Sequence, residues 1–487
     1  MSIKRNFIFN SILTVSNYLF PFIIYPYAAR VLGVQNLGSV NYIDSIVDYA
    51  VLFSTLGINL FGVRLIARCG DDRRKRSEAF SSAFFLCLFF TVIVSSILIF
   101  ATYNVAKFAP YKPLLMIGLI KIWGSLFLIN WLYQGIEDFK FITMRTIAVK
   151  LLYLISIFIF IHKATDYTTY YLLLCLMFAV NATVNCLVAR RYVSLTFSLK
   201  NILGTFKPLA TFGLYVMLTS MYLTFNIFYL GWECGDTQVG YYTTSTKLFQ
   251  IILGFYTAYT TVVIPRASSM IAQGDTSGFR HVVDKSVGGL MLIAIPVVVY
   301  MTIFACQLIN IFVGPDFNGA ILPMRIVMPL ILIIGYEQVL VLQILTPIGK
   351  DKQVLFNALI GSCVGVTLNL LIVSHLQAIG SAIVWVSAEI AVMISAQIFV
   401  TRDTGIKFPL KAILTNIVAY LPFIILSYAM VTYAPLSDVS MIASSAFLLA
   451  IYFIMIQKYY LRNEVYNQMI DFLCKRAPML ESLKYKV

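Results

Sequence analysis

Long apolar segments alternate with short polar loops along almost the whole chain. A helix that crosses a bilayer needs roughly 20 mostly apolar residues, and about fourteen segments meet that length. They begin near Asn6, Ser39, Ala79, Leu114, Phe141, Thr168, Leu209, Gly240, Ser286, Ile321, Val354, Ala378, Leu410 and Val439. The pattern therefore predicts an all-α polytopic membrane protein with about 14 transmembrane helices.

An internal repeat predicts how these helices are grouped. Gly33 to Gly38 reads GVQNLG and, 202 residues later, Gly235 to Gly240 reads GDTQVG. Each copy is followed by a mostly apolar or small stretch that leads to an arginine, Arg64 or Arg266. A weaker Ile-Ala-x-x-Gly-Asp echo follows, at Ile66 to Asp71 and at Ile271 to Asp275. Repeats of this kind are the usual construction of secondary transporters.

Six predicted spans precede the second copy, and an even number returns the chain to its starting side. The copies are therefore predicted to be parallel repeats, which form two six-helix lobes with two further helices at the carboxyl end. The predicted parts are an N-terminal lobe (1–200, spans one to six), a C-terminal lobe (201–404, spans seven to twelve), the last two spans (405–461) and a cytoplasmic tail (462–487). Apolar positions in that tail favour a short interfacial helix.

Composition and charge agree with a membrane protein. The 487 residues are 60% hydrophobic and 12% charged, whereas soluble chains average about 25% charged. With both termini in the cytoplasm, most of the 36 lysines and arginines fall on the inside, and the outside loops hold only Arg30, Lys107, Lys112 and Lys163. That bias predicts this orientation. It also explains the net charge of +15 without nucleic acid, because basic loops face anionic headgroups.

Several kinds of chemistry are not indicated. The eight cysteines form no CxxC pair, and with only three histidines the sequence predicts no disulfide framework, metal site or cofactor. No GxxxxGK[ST] phosphate loop is present, so we expect no ATPase activity in this chain. Any driving energy is expected from an ion gradient, the membrane potential or the substrate gradient.

The chain also carries motifs of a known family. They are FPFIIYPYAARVLGVQNLGSVNY from Phe20, GINLFGVRLIAR ending at Arg68, WLYQG near Gln134, VGYYTTSTKL from Val239 with IPRAS from Ile264, and NLLIVSHLQAIGSAIVW from Asn369. In this order, and over nearly the whole chain, they resemble the Wzx-type polysaccharide biosynthesis and O-antigen flippases. That family belongs to the multidrug/oligosaccharidyl-lipid/polysaccharide exporter superfamily.

The resemblance implies a V-shaped fold of fourteen helices whose two lobes enclose a central cavity. It implies a bacterial inner-membrane protein that moves a polyprenyl-pyrophosphate-linked oligosaccharide from the cytoplasmic to the outer leaflet by alternating access, for O-antigen or capsule assembly. The implied partners are this substrate, membrane lipids, a polysaccharide polymerase and a proton or sodium ion for coupling. Such a protein is a transporter and not an enzyme.

Four cations inside the spans are the predicted substrate-binding residues. A charge that faces lipid at mid-bilayer costs about 2.5–3.5 kcal/mol or more, so retained charges are expected to face a wet cavity or a partner. Arg30, Lys121, Lys247 and Arg325 lie toward the outer side of four different spans. A pyrophosphate is an anion that such cations would bind. The alternative for each is an ion pair between helices or a snorkelling side chain.

Three carboxylates are the predicted ion-coupling residues. Asp44 and Asp48 are four residues apart and share one face of the second span. They could bind a proton or a sodium ion, or pair with a cation such as Arg30. Glu389 lies near the middle of the twelfth span and has no obvious partner in that span, and Glu337 lies toward the inner end of the tenth.

Arg64 and Arg266 end equivalent spans on the predicted cytoplasmic side. One hypothesis is that they form an inner gate. The alternative is ordinary anchoring by the positive-inside rule.

Three other functions stay open. A cation-coupled multidrug exporter of the same superfamily would be expected to have an acidic cavity, which the four cations disfavour. A lipid II flippase is a closer alternative, which the composition of this chain does not exclude. A membrane polymerase or ligase that acts on the same lipid-linked sugars would be expected to have a large outer loop, and the sequence has none.

Overall fold

The computed structural model describes residues 3–476, and their side chains from residue 9 onward apart from residues 255, 258, 259, 261, 262, 469 and 472–476. Every regular element in this part of the chain is helical. The α-helices are α1 (Ile3–Thr55), α2 (Ile58–Ala67), α3 (Arg73–Asn104), α4 (Lys112–Phe127), α5 (Asn130–Gly135), α6 (Phe139–Phe160), α7 (Tyr167–Ala189), α8 (Leu199–Ser220), α9 (Thr224–Cys234), α10 (Asp236–Ala272), α11 (Thr276–Ile303), α12 (Ala305–Phe312), α13 (Ile321–Val327), α14 (Leu330–Gln338), α15 (Asp351–Leu368), α16 (Ser374–Thr404), α17 (Leu410–Tyr433), α18 (Asp438–Met455) and α19 (Glu464–Arg476).

The helices confirm the prediction of an all-α polytopic membrane protein. Within the described residues, ten helical stretches are long and apolar enough to cross a membrane, or eleven if one bent pair is a single span. Two of the stretches, Phe9–Ala67 with 59 residues and Asp351–Thr404 with 54, are much longer than one crossing requires. The count of fourteen spans stays a prediction.

The chain divides into two compact units whose sequence segments are interleaved. Unit 1 is the chain up to Thr243 together with Gly365–Gln377, and unit 2 is Thr244–Val364 together with the chain from Ala378 onward. In unit 1 the inserted segment packs on α9 and on the residues just before it. The Cys234 thiol of α9 contacts the Val373 carbonyl at 3.4 Å, and Gly365 lies against Tyr222, between α8 and α9.

Equivalent glycines of the repeat break the backbone in the same way. Gly33 interrupts α1 with φ 76° and ψ 169°, and Gly235 separates α9 from α10 with φ 82° and ψ 175°. Positive φ is cheap only for glycine, so this residue type is required at both breaks. The repeat seen in the sequence is therefore a repeat of backbone conformation.

The Ile-Ala-x-x-Gly-Asp echo also has a structural counterpart at two helix starts. Gly70 and Gly274 have positive φ, and the aspartates that follow, Asp72 and Asp275, cap α3 and α11. The Lys75 N–H, with that of Arg74, lowers the pKa of the Asp72 carboxyl. The Gly278 N–H acts in the same way on Asp275. Both caps fall in loops between membrane helices.

A buried polar junction joins three helices of unit 1. The amide oxygen of the fully buried Asn185 in α7 accepts from the Arg145 guanidinium of α6, and its amide nitrogen donates to the Leu128 carbonyl. Its backbone carbonyl accepts from the Tyr133 hydroxyl of α5 at 2.5 Å. The Arg145 side chain is itself buried, with 7% exposure.

Asn185→Ala is expected to lower the free energy of unfolding by about 1–3 kcal/mol, because it leaves buried polar groups without their partner. Thermal unfolding in detergent measures the change. Asn104→Ala is the matched control, since the exposed Asn104 amide donates to the Phe100 carbonyl of its own helix. Equal melting temperatures for the two variants would contradict the structural role of Asn185.

In unit 2, α11 is covered by α17 on one side and by the carboxyl-terminal helix on another. Tyr466 and Ile470 of α19 pack on Leu292, and the Asn463 amide donates to the Gly288 carbonyl at 3.1 Å. Lys285 lies 3.1 Å from Glu464. The predicted tail, residues 462–487, thus begins as a helix docked on α11, and its last part, residues 477–487, lies outside the described residues. Its interfacial position stays a prediction.

Candidate functional site

Lys121 lies between two carboxylates inside unit 1. Its Nζ is 2.6 Å from Asp44 Oδ1 and 2.7 Å from Asp48 Oδ1. Because the aspartates are four residues apart, they present both carboxylates on one face of α1. The lysine side chain is 6% exposed, whereas those of Asp44 and Asp48 are 23% and 48% exposed. The structure therefore brings together one predicted substrate cation and two predicted ion-coupling residues.

Glycine brings α4 close enough for this contact. A Cβ at Gly118 would overlap the Val47 side chain of α1 and lie 3.3 Å from the Tyr171 hydroxyl of α7. Six residues later, a Cβ at Gly124 would lie 3.2 Å from the Ala179 backbone of α7. The Lys121 ammonium also lies 5.2 Å from the centre of the Phe178 ring, within the range of a cation–π contact.

We call Asp44, Asp48 and Lys121 the α1–α4 triad. With all three groups ionised it carries one net negative charge, and its lysine is already neutralised. The half-exposed Asp48 is the member that a proton, a cation or water can reach. An anion can compete for Lys121 only if a carboxylate releases it.

The other predicted cations are more exposed than Lys121. Arg30, Arg64, Arg266 and Arg325 are exposed, and Lys247 is half-buried. Arg30 lies three residues before the Gly33 break, and Arg325 lies in the last turn of α13. The Arg64 guanidinium lies 5.2 Å from the centre of the Phe212 ring. That contact joins α2 to α8.

Two glutamates form the polar centre of unit 2. Glu389 in α16 is 4% exposed, and its Oε1 accepts from the Trp385 indole N–H at 3.0 Å. Glu389 therefore has a partner in its own helix, one turn earlier, which the sequence analysis did not identify. Its carboxyl also lies close to that of Glu337 in α14. We call Glu337 and Glu389 the glutamate pair.

The two carboxyl groups of the glutamate pair are close enough to share one proton. An ionised carboxylate only accepts hydrogen bonds, so two carboxyl groups bond to each other only when one carries a proton. Glu337 is followed by a π-helical turn, Val339–Leu345, a feature that is frequent at functional sites. Phe249 packs edge-on against Trp385, with ring centres 5.1 Å apart.

The sequence places Glu337 toward the inner end of a span but does not connect it with Glu389. It also missed the burial of Arg145 and the interaction of Lys121 with both aspartates. The available signal was the presence of ionisable residues in apolar segments. This signal identifies candidate residues but does not show which of them contact each other. In the described part of the chain, no three His, Cys, Asp or Glu side chains are grouped so that they could hold a metal ion.

Comparison with known families gives a match over more than half of the chain. Residues 3–271 match the family described as "Polysaccharide biosynthesis protein". The sequence is 25% identical over 417 residues to a protein of Escherichia coli (strain K12) named "Putative O-antigen transporter". That alignment covers 83% of this chain and 98% of the relative.

Solved structures share the fold. One is a lipid II flippase, MurJ, in an inward closed conformation, with a TM-score of 0.74, 14% identity and coverage of 91% of this chain and 98% of that one. Another is a multidrug resistance MATE family transporter in an inward-facing conformation, with a TM-score of 0.63, 14% identity and coverage of 80% and 94%. At these identities the likeness concerns the fold alone.

Proposed function

Because this chain belongs to the polysaccharide biosynthesis protein family, we propose that it is a flippase for lipid-linked oligosaccharides. Its substrate is a polyprenyl-pyrophosphate-linked repeat unit that moves from the cytoplasmic to the outer leaflet of a bacterial inner membrane, for O-antigen or capsule assembly. It acts by alternating access without covalent chemistry, with both termini in the cytoplasm, and delivers the unit to a polysaccharide polymerase.

One observation carries this proposal. The similarity to the relative named as an O-antigen transporter extends over 98% of that protein and is not confined to a few spans. The fold shared with a lipid II flippase and with MATE transporters supports a transport mechanism of the same general kind. The ten helical stretches of membrane-spanning length in the described residues agree with movement of a substrate across the membrane.

The charged residues suggest how the pyrophosphate is handled. Arg30, Lys247 and Arg325 are exposed or half-buried, so an anionic headgroup can reach them. Lys121 is the fourth proposed substrate cation. It becomes available to the pyrophosphate when a proton or a cation neutralises Asp48 or Asp44. Substrate and coupling ion would then be linked through one lysine. Arg64 and Arg266 stay candidates for an inner gate, with membrane anchoring as the alternative.

The test uses cells in which the gene is deleted. Polyprenyl-linked glycans are extracted, and their repeat number and leaflet are determined. We expect single repeat units to accumulate on the cytoplasmic leaflet and to be cleared by the intact protein but not by a variant with Arg30 and Lys247 neutralised. Accumulated lipid II would indicate the lipid II flippase instead. Normal glycan export with lost drug resistance would favour a multidrug exporter, a function that the net negative charge of the α1–α4 triad would suit.

We propose the glutamate pair as a proton site of the coupling reaction. Glu389→Gln and Glu337→Gln keep the shape of the side chain but cannot exchange a proton. Each is therefore expected to reduce the response of the export rate to an imposed pH gradient by about 10-fold or more, which corresponds to about 1.4 kcal/mol in activation free energy for each factor of 10. Transport into membrane vesicles with and without a protonophore measures the response.

Glu78→Gln is the matched control, because Glu78 lies on the exposed start of α3 and pairs only with Arg74 among the described ion pairs. Its gradient response is expected to equal that of the unaltered protein. If export by Glu389→Gln responds fully to the pH gradient, the glutamate pair has no part in the coupling reaction.

A further inference from the structure

Two equivalent positions of the repeat pack against each other without side chains. Gly38 in α1 and Gly240 in α10 are 202 residues apart, which is the repeat spacing. A Cβ at Gly38 would overlap the backbone carbonyl of Asp236, and a Cβ at Gly240 would overlap the carbonyl of Val34. The two helices therefore cross in backbone contact, as small residues allow. No substrate group fits between them in this arrangement.

A second pair of equivalent positions forms a hydrogen bond at the same crossing. The Asn41 amide donates to the Thr243 hydroxyl at 3.0 Å, and these residues are again 202 apart. Equivalent residues of two copies meet each other only close to the axis that relates the copies. The crossing therefore joins equivalent positions of the two copies within unit 1.

Asp236, the first residue of α10, joins this crossing to a third element. Its Oδ2 accepts from the Ser39 hydroxyl at 2.5 Å, and its Oδ1 accepts from the Tyr111 hydroxyl at 2.8 Å. Tyr111 ends the short helical turn Ala106–Tyr111 that precedes α4. One carboxylate at the start of α10 therefore binds both α1 and the α3–α4 connection with charge-assisted hydrogen bonds.

We infer that the Gly38–Gly240 crossing is the exit gate of the flippase, closed in this structure, and that Asp236 is the positioning residue that holds it closed. The inference rests on the proposed function. The crossing follows the Gly33 and Gly235 breaks, at the end of the spans that the lysine and arginine distribution predicts to be outside. In alternating access, a substrate released on that side requires these helix ends to separate.

Cross-linking tests the gate. Asn41→Cys and Thr243→Cys are introduced together after the eight native cysteines are replaced, and a short methanethiosulfonate reagent joins them. Export by the same variant before cross-linking is the baseline. We expect the cross-link to form, to reduce export at least 10-fold, and to release export again when a reductant cleaves it.

The control pair is Ser77→Cys with Ser194→Cys. These hydroxyls are 3.3 Å apart within one copy of the repeat, and joining them is expected to leave export at its baseline. Full export with the Asn41–Thr243 cross-link in place would overturn the gate, and so would failure of the cross-link to form. Absence of export in the variant and in the unaltered protein before any reagent is added would instead contradict the proposed function.

A second measurement is independent of the substrate. The variant carries Asn41→Cys as its one cysteine, and Asp236→Asn is added to it. Labelling of this cysteine from outside by a membrane-impermeant maleimide is expected to increase at least 3-fold, because the hydrogen bonds of Asp236 to Ser39 and Tyr111 are weakened. Asp316→Asn is the matched control, since Asp316 is exposed at another turn of the chain. Unchanged labelling in Asp236→Asn would show that Asp236 does not hold the Gly38–Gly240 crossing closed.

Discussion

Replacing Lys121 with glutamine is expected to reduce glycan export by more than 10-fold, together with the amount of folded protein in the membrane. The lysine side chain is almost fully buried and is bound by Asp44 and Asp48 at 2.6 and 2.7 Å. Removal of one partner from a buried ion pair costs about 3–5 kcal/mol, because the remaining charge is left uncompensated. The exposure of Asp48 moves the expected cost toward the lower end of that range.

Two further variants separate charge from packing. Lys121→Arg keeps the positive charge and is expected to retain more export than Lys121→Gln, although its planar guanidinium does not reproduce the geometry of an ammonium. Lys121→Gln combined with Asp44→Asn removes one charge of each sign, and we expect it to restore the amount of folded protein but not export. Export at the unaltered level in Lys121→Gln would show that the α1–α4 triad has no part in transport.

Gly38→Ala is expected to have the second large effect, an at least 10-fold loss of export that accompanies a rise in labelling from outside. The added methyl group would overlap the backbone carbonyl of Asp236. Backbone cannot move aside as the end of a flexible side chain does, so α1 and α10 must separate at this point. Export in membrane vesicles and maleimide labelling of Asn41→Cys measure the two consequences.

Gly204→Ala is the control for this substitution. Gly204 lies in α8, and a Cβ there would meet no atom within 4 Å. Alanine also has the higher helix propensity, so export is expected to be unchanged and stability unchanged or slightly higher. Equal export by Gly38→Ala and Gly204→Ala would mean that the backbone contact at the crossing has no role in transport.

Much of the fold could be predicted from local features of the chain. Apolar segment length identifies membrane helices, and the second glycine motif identifies a repeat whose backbone breaks at Gly33 and Gly235. The echo that ends near Asp71 and Asp275 marks two capped helix starts in the structure. These signals are readable because glycine with positive φ and a capping aspartate depend on residues close in sequence.

The candidate site was predicted less completely. The sequence placed Asp44 and Asp48 on one helical face, and this shared face is what lets both carboxylates contact Lys121 in the structure. It did not identify Lys121 as that contact, since Arg30 was an equally reasonable partner. Glu389 was recognised as a charge in a span, whereas its hydrogen bond to Trp385 and its closeness to Glu337 were not foreseen.

By itself the sequence determined which segments are membrane helices, that they form a repeat, and which charged residues are carried into apolar surroundings. These properties depend on hydrophobicity and charge along the chain, which each residue contributes independently. Only the tertiary structure decided which charges meet. The contact of Lys121 with Asp44 joins residues 77 positions apart, and it depends on the rotation and depth of α1 and α4, which close packing at Gly118 sets.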